Sequence, residues 1–339
     1  MDFALTDEQE AIRGLARQIF SDRVTHERLR ALEDGPEWFD LALWKELGQA
    51  SVPGTSLPER YGGSGLGLLE TCIVLEELGR ALAPVPLLPT VVLGALPIAE
   101  FGSEAQRTEW LPGVVSGDVV LSAALQEECV GDPAKPLVRA RPATADPAST
   151  HHEGVGWILD GVKVCVQAAH LARRILVPAR TADGRVGVFL VDPSAAGVTL
   201  ERQLTVHREP QYRLTLSSVE VGAGDMLGDL ENGVEIVEWM VSRGQLAVCA
   251  ISLGVAEESL RRTAEYASSR KQFDRQIGAF QGVALRAADG FIDVEAMRSV
   301  FWQAVWRVEE GLPASAEIAA AKWWACRAGH RVVHSAQHI

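Results

Sequence analysis

The chain has 339 residues, 47% of them hydrophobic, with 45 acidic against 32 basic side chains and a net charge of −13. That length and apolar content can bury an ample core in two or three packed units, which excludes a disordered polymer. The acidic balance, with no dominant basic face, excludes duplex nucleic acid as a partner, because neutralising phosphates takes clustered cations.

Thr6-x-x-Gln9 reads as a capping box opening a helix, with Ile12, Leu15 and Ile19 on one face. A second helical pattern runs around Trp38 to Gly48. The chain then breaks at Pro53-Gly54 and at Pro58-Glu-Arg-Tyr-Gly-Gly63, continuing as Ser64-Gly-Leu-Gly67. This glycine spacing misses GxGxxG, no strand precedes it and no Walker lysine follows, so a backbone turn accounts for it better than a phosphate loop. A helix is predicted from Leu68 to Leu82, ended by the prolines at 84 to 89. Further helical segments, among them Ser103-Glu-Ala-Gln-Arg-x-x-Trp-Leu-Pro112, reach Val115. Residues 1–117 are therefore expected to form an all-α domain.

From Val119 to about Val221 the helical period gives way to short β-branched or alternating runs: Gly156-Trp-Ile-Leu159, Val162-Lys-Val-Cys-Val166, Arg174-Ile-Leu-Val177, Val186-Gly-Val-Phe-Leu-Val191 and Tyr212-Arg-Leu-Thr-Leu216. Asp160-Gly161, Asp183-Gly184 and Asp192-Pro193 read as turns between them, and 131–154, rich in Pro, Ala and Gly, as a long mobile loop. An antiparallel barrel or sandwich over 118–224 is the natural solution. The helical period then returns in three blocks, roughly 233–269, 280–310 and 314–337, as an antiparallel bundle over 225–339. Such a bundle usually wants a fourth helix. The fold class is thus α+β multidomain: an all-α domain, a middle antiparallel β domain and a C-terminal helical bundle.

Cys72, Cys129, Cys165, Cys249 and Cys326 lie far apart without a CxxC pair, which fits a reducing cytoplasm and offers no zinc site. The N-terminus lacks a charged segment leading into an apolar one, and no run of about 18 uninterrupted apolar residues occurs. A cytoplasmic location without signal peptide or membrane span is expected.

The stretch richest in chemistry joins the first two long helices: Ser269-Arg-Lys-Gln-Phe-Asp-Arg-Gln-Ile-Gly-Ala-Phe-Gln281. A fixed guanidinium can grip a pyrophosphate through paired charge-assisted hydrogen bonds, and a ring and an amide nearby could hold the rest of a dinucleotide. The plainer account makes Arg270, Lys271 and Arg275 solvated cations at a helix C-terminus, where they meet the macrodipole favourably.

Arg270-Lys-Gln-Phe273 followed by Ile277-Gly-x-Phe-Gln281 resembles the signature of the acyl-CoA dehydrogenase family, with Asp274 in place of the usual glycine. The Pro58-Glu-x-Tyr-Gly-Gly63 piece, Leu75-Glu-Glu-Leu-Gly-Arg-Ala81 and Trp110-Leu-Pro112 resemble that family's N-terminal domain. The resemblance implies FAD as cofactor and an acyl-CoA thioester as substrate. It also implies an electron-transfer flavoprotein as acceptor, a tetramer, and fatty acid or steroid β-oxidation as context. It implies that Arg270, Phe273 and Gln281 reach the FAD of a neighbouring subunit. Gln337 and His338 fall where family members run into His-Gly-Gly-x-Gly, and join the implied cofactor set. A further helical hairpin is expected beyond Ile339 on the same analogy.

Removing two hydrogens from an acyl thioester needs a carboxylate for the α-proton and a flavin for the β-hydride, with hydrogen bonds on the thioester carbonyl. The family draws its glutamate from one of two places, which correspond to Gly244 here and to the hairpin beyond Ile339. No catalytic residue is therefore assigned. Glu257, Glu258 and Glu265 read as a solvated face beside Arg261 and Arg262. On the flavin-facing strands the family's Leu-Thr-Glu-Pro is Leu125-Gln-Glu-Glu128 here, and its Trp-Ile-Thr/Ser is Cys165-Val-Gln167. Leu125, Gln126, Cys165 and Gln167 are the corresponding cofactor positions, and they look eroded.

This asymmetry resembles the completing subunit of bacterial heterotetramers that act on bulky steroid side-chain thioesters, with a paralogous partner supplying the base. The alternatives are a self-sufficient homotetramer whose glutamate lies beyond Ile339, and a non-enzymatic CoA-binding or assembly subunit.

Overall fold

The computed structural model describes residues 4–33, 35, 38–143 and 156–339. Helix α1 (Asp7–Arg23) opens as expected: the Thr6 hydroxyl accepts the Gln9 amide and the Gln9 side chain accepts the Thr6 amide. Next come α2 (His26–Glu33), which has no buried residue and left no sequence signal, and α3 (Leu41–Gln49), capped by Asp40. The glycine-rich piece at 52–63 forms two short 3-10 turns, not a phosphate loop. Then come α4 (Leu68–Ala81), a buried π-helical stretch (Leu88–Ala95), α5 (Leu96–Phe101) and α6 (Glu104–Val115).

The strands are β1 (Leu121–Ala123), β2 (Arg139–Pro142), β3 (Trp157–Gln167), β4 (Arg174–Arg180), β5 (Val186–Val191), β6 (Val198–Gln203), β7 (Gln211–Val221) and β8 (Met226–Leu227). The long helix α7 (Gly233–Ser269) leads into a miniature hairpin, β9 (Lys271–Gln272) and β10 (Arg275–Gln276). Helices α8 (Gln281–Glu309) and α9 (Ser315–Gln337) follow. The architecture is thus N-terminal helices, a middle antiparallel-rich sheet and C-terminal helices.

Two compact units gather these elements out of chain order. The first comprises Met1–Leu29, Gly67–Ala83 and Gln245–Ile339. Within it α8 and α9 pair, and α4 supplies the fourth helix that the C-terminal sequence alone lacked, packing on α8 and on the second half of α7. Cys72, Ile73, Leu75, Leu253, Phe301 and Val305 are buried in this unit. Helix α1 buries Ala16 and Phe20 there, while Leu15 of the expected face stays exposed. Polar anchors on α4 explain the rotation, because Gln9 donates to Glu70 (2.8 Å) and Arg17 grips Glu77 through two bonds of 2.7 and 2.9 Å. By length and composition α7 could cross a membrane, a test that the core helices of soluble proteins also pass.

The second unit comprises Arg30–Leu66 and Pro84–Gly244. Its strands form one hydrogen-bonded sheet in the order β6-β7-β3-β2-β4-β5-β8, with β1 on β4. The β1–β4 and β2–β4 pairings are parallel and the others antiparallel. Two expectations change here. Asp160-Gly161 does not end a strand; β3 runs through it with a register slip, and Gly161 takes φ 145 with Val138 Cα 2.9 Å from where a Cβ would sit. Arg139–Pro142, inside the stretch read as loop, pairs with β3, while 144–154 lie outside the described residues. The core of the unit gathers Trp157, Leu159, Val166, Ile175, Phe189 and Leu214, which lie on several strands of the sheet.

Candidate functional site

In the first unit, α7 ends at Ser269 and the chain turns back on itself within a few residues. The turn residues between β9 and β10 are Phe273 (φ 52) and Asp274 (φ 63), so both central positions of this two-residue hairpin are left-handed. Asp tolerates that conformation and can replace the glycine expected there; a phenylalanine is strained in it. The Ile277 amide donates to the Arg270 carbonyl (2.9 Å), closing the far end of the hairpin onto the residue that starts it. Phe273 is 87% exposed. Arg270, Lys271 and Gln281 are exposed too, and none of their side chains has a hydrogen bond or ion pair to another described residue. Both readings of Arg270 and Lys271, solvated cation and anion grip, expect this exposure.

The structure therefore places Arg270 and Phe273 on one hairpin and Gln281 at the start of the helix that follows it, all three exposed. Gln337 and His338 close α9 instead, where His338 stacks on His334 (4.2 Å between ring centroids) and bonds its carbonyl oxygen (2.8 Å). No described contact links them to the hairpin. Sequence reasoning read Arg275 as a solvated cation and Phe280 as part of the family signature, and assigned no role to their contact. The Arg275 guanidinium lies 4.0 Å from the Phe280 ring centroid, and Phe280 meets Phe273 edge-to-face at 6.2 Å. An aromatic five residues after an arginine in a turn-rich stretch was the available signal.

In the second unit, Leu125, Gln126, Cys165 and Gln167 do come together. The Gln126 carbonyl accepts the Val164 amide (2.9 Å), which lays the 125–126 segment beside the end of β3. The register slips again between Lys163 and Val166, leaving Cys165 exposed and left-handed at φ 55. Its amide donates to Gln203 Oε1 (2.8 Å), and the Gln167 amide donates to Glu209 Oε1 (3.2 Å). Burial pushes the Glu209 carboxyl up, while the charge and hydrogen bond of His207 and the Gln167 amide pull it back down. Gln203 and Glu209 had no sequence signal, since each lies about forty residues along the chain from the group it binds.

Gly244 lies in the fourth turn of α7, and Leu93 Cδ2 of the π-helical stretch stands 3.0 Å from where a Cβ would be. The position carries no carboxylate, and Leu93 crowds the space one would enter. Of the acids farther along α7, Glu265 is exposed beside Arg261 as expected, but Glu257 and Glu258 are not a solvated face. Glu257 and Glu258 are 31% and 12% exposed and bind Arg80 of α4, with Arg298 on Glu257 and Arg261 and Arg262 on Glu258. Burial alone would raise Glu257, but Arg298 and Arg80 outweigh it and hold the group low. Hydrogen bonds from Arg261, then Arg262, hold Glu258 down to about 2. A base so firmly held as its anion has little drive to take a carbon-bound proton.

A depressed folded-state pKa stabilises the fold above the unfolded value and loses that contribution as pH falls through the folded one. Glu258→Gln should therefore melt below the parent at neutral pH, with the gap closing between pH 4.5 and about 2. Paired thermal melts at pH 7, 4 and 2.5 check this; a gap independent of pH would remove the ion pair as its cause.

Residues 6–118 match the family described as "Acyl-CoA dehydrogenase, N-terminal domain" and residues 231–339 the one described as "Acyl-CoA dehydrogenase, C-terminal domain". The acyl-CoA dehydrogenase FadE27 of Mycobacterium tuberculosis is 38% identical, over 100% of this chain and 88% of that protein. The solved ChsE4-ChsE5 complex from Mycobacterium tuberculosis aligns with a TM-score of 0.90 at 39% identity, covering 100% of this chain and 87% of that one. A variant of the Tcur3481-Tcur3483 steroid ACAD aligns with a TM-score of 0.88 at 43% identity, covering 98% of this chain and 86% of that one.

Proposed function

The chain belongs to the acyl-CoA dehydrogenase family, oxidoreductases that act on acyl-CoA thioesters, and we propose that it is the completing subunit of an FAD-dependent heterotetramer. One observation carries this reading: the chain's two sets of cofactor positions differ in what they leave free. The hairpin leaves the Arg270 guanidinium, the Phe273 ring and the Gln281 amide uncommitted. At the end of β3, the Cys165 amide and the Gln167 side-chain amide are already spent on Gln203 and Glu209. The first set fits FAD, and the second does not fit a flavin ring of the chain's own.

When bound, FAD supplies the acceptor for the hydride of the substrate β-carbon. Toward it, Arg270 offers paired donors to a pyrophosphate, Phe273 a flat apolar face and Gln281 a donor and an acceptor. Removal of the α-proton falls to the partner in this reading, because position 244 is a glycine crowded by Leu93. The names of the relatives, one a steroid ACAD and one a two-component complex, favour a bulky thioester and a paralogous partner. An electron-transfer flavoprotein is the acceptor that family membership suggests.

The reading is tested by flavin content and native mass, for the chain expressed alone and together with a paralogous subunit. Little flavin alone, and about one FAD per two chains in a mixed tetramer, is the expected result. About one FAD per chain in a homotetramer would overturn it.

A further inference from the structure

We propose that Arg275 is a positioning residue, which by stacking on Phe280 locks Phe273 in its left-handed conformation and presets the hairpin for an anionic dinucleotide. This deepens the reading of the hairpin as a half-site for FAD and rests on it.

The argument begins with strain. A two-residue hairpin turn of this type needs positive φ at both central residues, which Asn, Asp and Gly supply at low cost. Here the first is Phe273 at φ 52, and its side chain is 87% exposed, so burial offsets almost none of the strain. What does hold the ring is a stack of three groups. The edge-to-face contact with Phe280 is one layer, and the Arg275 guanidinium 4.0 Å from the Phe280 ring centroid is the next. Phe280 is itself fixed by its amide bond to the Ile277 carbonyl (3.1 Å), and Ile277 by its bond to the Arg270 carbonyl (2.9 Å). The lock and the anion-gripping residue thus share one closed backbone loop.

Arg275 is exposed and has no carboxylate within ion-pair distance among the described residues. Its contact is with the Phe280 ring. A merely solvated cation has no reason to lie over a ring centroid. An aromatic held ready in a strained, exposed pose has lost its conformational freedom before the ligand arrives, which lowers the ordering cost of binding.

The experiment uses the reconstituted mixed complex and follows FAD release by the rise in flavin fluorescence, with native mass confirming assembly. Arg275→Ala should speed release roughly threefold to tenfold. Arg275→Lys should not restore retention, because an ammonium keeps the charge but lacks the planar face. Phe280→Leu should reproduce the Arg275→Ala effect, and the double variant should release FAD no faster than Phe280→Leu alone. Parental retention in Arg275→Lys would overturn the proposal by making Arg275 a bare charge, and so would additivity in the double variant. Arg270→Ala separates the two levels. If it loses FAD while Arg275→Ala does not, the lock fails and the half-site stands; if it retains FAD fully, both fall.

Discussion

Lys163→Met is expected to destabilise the second unit by roughly 3–5 kcal/mol, one of the two largest effects we anticipate for a single substitution. Lys163 is fully buried and Glu127 is 5% exposed, and they meet at 2.6 Å within the sheet. Glu127 also accepts the amides of Leu137 (2.6 Å) and Val138 (3.2 Å), tying the approach to β2 onto β3. Burial pushes the Lys163 ammonium down, and the hydrogen bond and charge of Glu127 push it back up. Methionine fills similar volume but leaves a carboxylate buried with two amide donors and no counter-charge. Adding Glu127→Gln should recover most of the loss, because glutamine keeps an acceptor for those amides and removes the orphaned charge. Urea unfolding of the parent, the single variant and the double variant decides it. A single-variant loss below about 1 kcal/mol, the usual size for an ordinary site, would mean the pair is not desolvated as the structure has it.

Much of this molecule was legible locally. The capping box at Thr6 and the three long helical periods needed only neighbours in sequence, and α7, α8 and α9 lie close to where the pattern put them. Strands were harder. Val198–Gln203 alternates too weakly to announce β6, and Gly161 signals a turn when read alone but forms a bulge once β7 pairs across it. The grouping of Arg270, Phe273 and Gln281 was legible because they share one short run. The strand set was only half legible. Its substitutions could be read, but not that Gln203 and Glu209 arrive from 38 and 42 residues away to occupy the donors. Which helix completes the C-terminal bundle was not legible at all. That depends on two glycines far apart in sequence.

Those glycines set the other large effect: Gly254→Val should cost at least about 3 kcal/mol. A Cβ at Gly254 would lie 1.9 Å from the Glu76 carbonyl oxygen and 2.8 Å from the Arg80 nitrogen, and a Cβ at Gly79 would lie 2.1 Å from the Ile251 carbonyl oxygen. Helices α4 and α7 thus cross backbone against backbone, with no flexible side chain between them that could give way. Separating them also strands charge. Glu257 and Glu258 of α7 are 31% and 12% exposed and both pair with Arg80 of α4. Arg80 binds Glu257 across the same crossing at 2.5 Å. A valine therefore incurs overpacking and the loss of Arg80 as a partner for the half-buried Glu257 and Glu258 together. Gly282→Ala is the control, since nothing lies within 4 Å of its would-be Cβ in the first turn of α8. It should be neutral or stabilising by up to about 1 kcal/mol. Thermal melts of both variants test the packing: a Gly254→Val protein as stable as the parent would mean that α4 is not held against α7 in this way. The same variant bears on function, because α7 runs from this crossing to Ser269 and carries the hairpin at its end. A crossing forced apart should loosen FAD retention in the mixed complex even though position 254 lies four helical turns before Arg270.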